Sequence, residues 1–133
     1  MRKYFIAGNW KMNKTASQAV ELIEALKGGV SGTHARVMVA PPFTALAAAA
    51  EALKGSVIML GAQNMSDQES GAHTGEVSVL MLKDTGVEVV IIGHSERRLI
   101  YGEQDDFINR KVHLALKHGL EVILCVGETL EQR

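Results

Sequence analysis

The sequence predicts an α/β fold built around a parallel β-sheet, and two observations carry that prediction. Short apolar runs rich in β-branched residues recur along the 133 residues, and they are continuous rather than alternating, which is typical of parallel strands buried on both faces. Amphipathic helical segments separate these runs. The strand–helix–strand spacing implies right-handed βαβ units, and 47% apolar and 22% charged residues suit one globular domain.

The predicted strands follow the apolar runs. Five are expected, at Phe5–Ala7, Arg36–Ala40, Val57–Leu60, Val87–Ile92 and Glu121–Val126. The carboxyl ends of parallel strands meet at one edge of the sheet, where α/β proteins bind their ligands. The residues that follow each run are therefore the candidates for function.

Four complete helices are predicted between these strands. The first carries an apolar face of Ala19, Leu22, Ile23 and Leu26 and ends at Gly28-Gly29. The second is expected from Ala45 to Lys54, with Thr44 as its N-cap.

The third and fourth helices have clear end signals. Ser78 is the expected N-cap of the third, which ends at Gly86. Asp105 or Asp106 is expected to cap the fourth, and Lys117 places a cation at its negative end. The buried side of the fourth is predicted to hold Phe107, Ile108, Val112, Ala115 and Leu116.

Residues Glu128–Arg133 resemble the first turn of a fifth helix, so we expect the chain to be the first part of a longer domain. Five parallel strands fit two architectures. One is an open, doubly wound sheet, and the other is a (β/α)8 barrel of about 250 residues, of which residues 1–133 would be the N-terminal half. The periodicity alone does not choose between them.

The amino-acid composition argues against several classes of function. The formal net charge of −1 does not favour nucleic acid or an anionic membrane as a partner. No apolar run approaches the roughly 20 residues of a membrane span. The single cysteine, Cys125, excludes an internal disulfide and favours a reducing, cytoplasmic location; its apolar surroundings predict a packed thiol.

Polar residues at two strand ends are the main candidates for chemistry. Asn9 and Lys11 follow the first strand and would share a face if the strand continued, so Lys11 could offer positive charge to an anionic substrate. The alternative is a solvated lysine. His94 follows the fourth strand, and Ser95 is the expected N-cap of a short helical segment. The positive end of that helix would keep the histidine neutral and able to donate a hydrogen bond.

The remaining signals are weaker. Gln63 and Asn64 follow the third strand and could reach a substrate or cap a loop. The loop over residues 65–77 is long for its position, so we interpret it as a projecting arm that binds a partner. No metal site is predicted, because the other histidines lack ligand spacing, and no glycine-rich nucleotide loop is present.

Four segments together resemble the triose-phosphate isomerase family. They are Gly8–Asn13, Gly71–Glu76, Ile91–Arg98 and Cys125–Thr129, in the order and at the spacing found in bacterial members of that family. The run Gly93-His94-Ser95-Glu96-Arg97-Arg98 is the most specific. The resemblance covers residues 1–133 and implies the N-terminal half of a TIM barrel.

The resemblance implies roles for individual residues. Asn9 and Lys11 would bind substrate, and Lys11 and His94 would be catalytic, with His94 polarising the carbonyl as a neutral imidazole, a state for which this family is itself the standard example. The side chains expected to hold these groups in place are those of Ser95, Glu96, Gln63 and Asn64. Thr74 would lie in the loop that reaches the partner subunit of a homodimer.

The implied reaction interconverts dihydroxyacetone phosphate and glyceraldehyde 3-phosphate through an enediolate, without a cofactor. The family's basic glutamate and phosphate loops follow later strands, so the chain alone is expected to be inactive, and Glu128 is not the base. Its expected partners are a phosphorylated sugar, a complementary C-terminal fragment or a second half barrel. The rival interpretations are a non-catalytic half-barrel assembly module and a flavodoxin-like binding domain.

Overall fold

The computed structural model describes residues 2–133, which form one parallel sheet with helices packed on its outer face. The strands are β1 (Phe5–Asn9), β2 (Arg36–Ala40), β3 (Met59–Ala62), β4 (Val89–Ile92) and β5 (Glu121–Leu124). The helices are α1 (Ala16–Gly29), α2 (Leu46–Ala52), α3 (Val79–Thr85), α4 (Ser95–Leu99) and α5 (Asp105–Lys117). Helices α1, α2, α3 and α5 are the four predicted ones, and α4 is the short segment after the fourth strand.

The strand order decides between the two architectures. All neighbouring strands are parallel, and their order is β1-β2-β3-β4-β5, so each strand pairs with the next one along the chain. A flavodoxin-like sheet has the order 2-1-3-4-5 and reverses direction at a switch point. That alternative is therefore wrong, and the sequential order is that of a barrel wall.

Strand β2 shows how the two faces of the sheet are filled. Val39 packs outward into the main core beneath the helices, whereas Met38 and Ala40 point inward and pack with residues of β4 in a second cluster. Gly61 on β3 leaves the space that Met38 occupies, because an added Cβ there would lie 2.8 Å from Met38 Cε. The inner cluster is the beginning of a barrel interior.

The predicted N-caps of α2 and α5 are wrong. Thr44 lies within a 3-10 turn, Phe43–Ala45, and α2 begins after it without a side-chain cap. Pro42, with its fixed φ, accepts from Ala45 N–H at 2.9 Å and so starts the helical turn earlier. Helix α5 begins at Asp105, and Gln104 is its N-cap. Asp105 and Asp106 lie in the first turn, where their negative charges interact favourably with the positive end of the helix dipole.

Other helix ends match their signals. The Ser78 hydroxyl accepts from Met81 N–H at 3.3 Å, and Gly86 ends α3 in the left-handed conformation, with a φ of 103°. On α5 the predicted buried face is partly wrong, because Leu116 is exposed and Lys111 is buried.

Some strand bounds also differ. β1 extends to Asn9, beyond the predicted Ala7, and β5 ends at Leu124. Val87 lies in the connection between α3 and β4, where its N–H donates to the carbonyl of Leu82, so β4 begins only at Val89. β3 lies two residues later than predicted and ends in two small residues: Gly61 leaves space for Met38 on the inner face, and Ala62 packs in the main core beneath the helices.

The central strands are buried, but the two outer ones are open. β4 is buried along its whole length, whereas Ile6 of β1 and Leu124 of β5 are exposed. Arg36 of β2 forms an ion pair with Glu121 of β5, which spans the inner face between strands that are not neighbours. Residues 130–132 form a turn that Thr129 caps. None of the helices within residues 2–133 has the length and apolar character needed to cross a bilayer.

Candidate active site

The chain turns sharply where β1 ends. Asn9 is the last residue of the strand, and its side-chain oxygen accepts from Lys11 N–H at 3.0 Å. Lys11 has a φ of 56°, in the left-handed region that side chains other than glycine seldom adopt. The strand does not continue through Lys11, so Asn9 and Lys11 do not share a strand face, and the turn sets the direction of the lysine side chain.

Side chains from two segments hold this turn. Gln63, just after β3, donates from Nε2 to the Lys11 carbonyl and to the Ala40 carbonyl, both at 2.8 Å. Asn13 donates to the Trp10 carbonyl at 2.9 Å. Gln63 thus joins the ends of β1, β2 and β3. Because several bonds fix it, the strained conformation of Lys11 can persist.

Glu96 brings the two principal candidates together. Its Oε2 accepts from Lys11 Nζ at 3.0 Å, and its Oε1 lies 3.5 Å from His94 Nδ1. Lys11 and Glu96 remain about half exposed, whereas the His94 side chain is 22% exposed. The ends of β1 and β4 therefore present a cation and an imidazole that share one carboxylate neighbour.

The hydrogen bond to His94 fixes its tautomer. The backbone N–H of Glu96 donates to His94 Nδ1 at 3.1 Å, so Nδ1 is an acceptor and Nε2 carries the proton of the neutral ring. His94 is itself the N-cap of α4, and the prediction that Ser95 has this role is wrong. Ser95 is the first helical residue and lies exposed beside His94 at a cavity.

That cavity lies between the ends of β4 and β5. Its volume is about 560 Å³, and its lining includes His94, Arg98, Cys125 and Glu128. The Glu128 carboxylate pairs with Arg133 at 3.1 Å. Burial raises the pKa of the Cys125 thiol, although nearby Arg98 opposes the shift, so the thiol is not activated as a nucleophile.

Asn64 belongs to a separate, buried network. Its side-chain oxygen accepts from Lys111 Nζ at 2.8 Å, and the same ammonium donates to Glu103 Oε2 at 2.8 Å. Arg97 bonds to that oxygen at 2.6 Å. Asn64 therefore anchors the end of β3 to α5, while its neighbour Gln63 faces Lys11.

Burial and pairing compete in this network. Burial acts to raise the pKa of Glu103, but hydrogen bonds from Lys111 and Arg97 outweigh it and leave that pKa below its ordinary value. Burial lowers the pKa of Lys111, and Glu103 counteracts the shift only in part. Oε1 of Glu103 is buried and has no hydrogen-bond partner within residues 2–133.

The sequence interpretation missed this network, although it contained one signal. Lys111 comes three residues after Ile108 and four before Ala115, both of which face the core, so a lysine occupies a core position of the helix. A lysine is seldom fully buried without a partner, and this one is 0% exposed. No pattern in the sequence identifies Glu103 as its partner.

Thr74 lies in the exposed part of the loop between β3 and α3. The bond from Ser66 N–H to the Val77 carbonyl, at 2.8 Å, closes the base of this loop. Within residues 2–133, no group of three or more histidine, cysteine, aspartate or glutamate side chains is arranged to hold a metal ion.

Fold and site together define the class of protein. Five sequentially ordered parallel strands with α-helices on their outer face form half of a (β/α)8 barrel, and its mouth presents Lys11 and His94. A sequence model described as triosephosphate isomerase matches residues 4–133. The chain belongs to the triosephosphate isomerase family.

Individual relatives support this family assignment. A triosephosphate isomerase of Treponema denticola is 61% identical over 133 residues, all of this chain and 53% of the relative. One from Acetivibrio thermocellus is 56% identical over 132 residues, again 53% of its length. The crystal structure of triosephosphate isomerase from Bartonella henselae superposes with a TM-score of 0.92 at 43% identity, covering 98% of this chain and 54% of that one. The chain thus spans about half the length of the curated relatives it matches, which confirms the predicted half barrel.

Proposed function

We propose that these residues supply the electrophilic half of a triosephosphate isomerase active site. The substrates are dihydroxyacetone phosphate and glyceraldehyde 3-phosphate, interconverted through an enediolate. The observation that carries the proposal is the bond from Glu96 N–H to His94 Nδ1, because it leaves Nε2–H as a donor at the mouth that also holds Lys11.

Each group has a defined task in this reaction. A carboxylate base removes a proton from the carbon beside the carbonyl and returns it to the neighbouring carbon, so no electrons leave the substrate and no cofactor takes part. His94 Nε2–H donates to the oxygen on which negative charge develops. The Lys11 ammonium attracts the phosphorylated substrate and stabilises the same charge, while Asn9 and Gln63 hold its turn.

The proposal extends to assembly. The base and the phosphate loops come from a C-terminal half barrel, supplied in the same protein or as a complementary fragment. The intact protein is a cytoplasmic homodimer in which the loop around Thr74 reaches the partner's site. Exposure of this loop and its closed base support that role.

The test replaces His94→Gln in a full-length chimeric enzyme, in which residues 1–133 are followed by the second half of the Treponema denticola relative. Glutamine cannot reproduce the aligned Nε2–H donor, so we expect kcat to fall by about 10² to 10³ with little change in thermal stability. His113→Gln, an exposed histidine on α5, is the control. An unchanged kcat in the His94 variant would refute the assignment.

A further inference from the structure

Arg98 joins three elements around the mouth of the half barrel. Its Nε donates to the Gly93 carbonyl at 2.7 Å, and its Nη2 donates to the Cys125 carbonyl at 3.1 Å. Its Nη1 pairs with Asp105 at 2.7 Å, at the start of α5. The two carbonyls lie just beyond the ends of the neighbouring strands β4 and β5.

We propose that Arg98 is a positioning residue for His94. This inference rests on the proposed function. The Gly93 carbonyl belongs to the peptide group that links Gly93 to His94, so the bond from Arg98 Nε fixes the orientation of the peptide plane that precedes His94. The bond to Cys125 ties that plane to the next strand. The imidazole is then held from both sides, by this peptide and by the Glu96 N–H on Nδ1.

Close packing at Gly93 supports the role. Gly93 has a φ of 74°, and a Cβ added to it would lie 3.0 Å from Arg98 Nη2 and 3.2 Å from Ile108 Cγ2. The guanidinium therefore fills the space beside the glycine as well as bonding to its carbonyl. Glycine allows both the left-handed turn that presents His94 and the close approach of the guanidinium to it.

The arrangement also shows how Arg98 acts. Each of its three nitrogens bonds to a protein acceptor, so the guanidinium is held in place and acts on the reaction through His94. The Asp105 carboxylate is 93% exposed, and an exposed ion pair of this kind contributes little. The two carbonyl bonds carry the positioning role.

The test compares three variants of the chimeric enzyme: Arg98→Lys, Arg98→Gln and, as matched control, Asp105→Asn. Lysine keeps the charge but has no planar fork that reaches both carbonyls. We expect both Arg98 variants to lose about 10- to 100-fold in kcat, because misplacing a catalytic group by an ångström has effects of that size. KM should stay within about threefold, as expected when an interaction acts in the transition state. The control should keep its kcat.

Nitrogen NMR of the His94 ring supplies a second readout. The parent should show an unprotonated Nδ1 and a protonated Nε2, and the Arg98 variants should show exchange between tautomers. Parent-like kcat and a parent-like ring spectrum in Arg98→Lys would overturn the proposal. So would a failure of both Arg98 variants to fold while Asp105→Asn folds, since Arg98 would then be purely structural. If the parent chimera lacks isomerase activity, the proposed function fails, and the ring spectrum alone decides the role of Arg98.

Discussion

At the scale of single residues, Lys11 combines a strained backbone with a charge aimed at the mouth. The sequence indicated that a lysine follows the first strand, and the family resemblance implied a substrate-binding role for it. The sequence did not indicate that Lys11 has a left-handed φ of 56°, because that conformation is held by hydrogen bonds from Gln63, 52 residues further along the chain. Residue types at strand ends were predictable, whereas the geometry that aims them depends on distant partners.

His94 shows the same division. Its position at the end of β4 predicted a neutral histidine beside a helix start. The sequence assigned the cap to Ser95, since serine is a preferred N-cap residue, but the imidazole takes that place itself. The structure thereby identifies a specific tautomer, whereas the sequence predicted only a neutral ring.

Gly61 provides a prediction at this scale. In the chimeric enzyme, Gly61→Ala should lower the free energy of unfolding by about 1 to 3 kcal/mol, because the new methyl group overlaps the buried Met38 side chain. Urea unfolding measures the effect. Gly28→Ala is the matched control, since nothing lies within 4 Å of its added Cβ and alanine is the better helix former. Equal stability of the two variants would mean that Met38 moves aside freely.

At the scale of elements, the existence of strands and helices was predictable and their ends were less so. Continuous apolar runs predicted all five strands, because both faces of a parallel sheet are covered. The bounds of β3 were missed, because Gly61 and Ala62 are poor strand formers, although Gly61 fits beside Met38 on the inner face and Ala62 fits the core beneath the helices. Local propensity does not contain that packing requirement.

The buried pair between Lys111 and Glu103 links α5 to the segment before it. Its side chains are 0% and 5% exposed. In the chimeric enzyme, Glu103→Gln should lower the free energy of unfolding at neutral pH by about 3 kcal/mol, since removing one partner leaves the other charge buried. The control is Glu24→Gln in an exposed pair with Lys27, where the loss should stay below about 1 kcal/mol.

The same substitution should change the dependence of stability on pH. The pKa of Glu103 is lower in the folded protein than its ordinary value of 4.5, so its carboxylate stabilises the fold above that value. This contribution is lost as the pH falls through the folded pKa. The free energy of unfolding, measured with urea, should therefore fall more steeply below about pH 4.5 in the parent than in Glu103→Gln. Parallel curves for the two proteins would contradict the assignment.

At the scale of the whole molecule, the sheet has two unpaired outer strands and an inner face with solvent access. The side chains of Ile6 and Leu124 are 58% and 46% exposed, and Val126 is 81% exposed. Such edges and apolar surface favour association with another β-sheet. A second half barrel, of the same or of complementary sequence, would cover them.

A protein made only of these 133 residues should therefore show no isomerase turnover. It lacks the proposed base, whose contribution is typically about 10² to 10⁴-fold, and the phosphate loops. A coupled assay on the purified chain, with the chimeric enzyme as positive control, measures this, and sedimentation of the same sample shows whether it self-associates. Turnover that persists after rigorous purification and disappears in His94→Gln would contradict the prediction.

The ion pair between Lys11 and Glu96 also bears on how the site is ordered during folding. These residues are 85 positions apart, as are Arg36 and Glu121, whereas neighbouring strands pair over much shorter separations such as Phe5 with Arg36. In an unfolded chain, the entropic cost of closing a loop grows with its length. Strand pairing from β1 to β4 shortens the effective loop step by step, so the lysine and the glutamate meet at little further cost once the wall between them has formed.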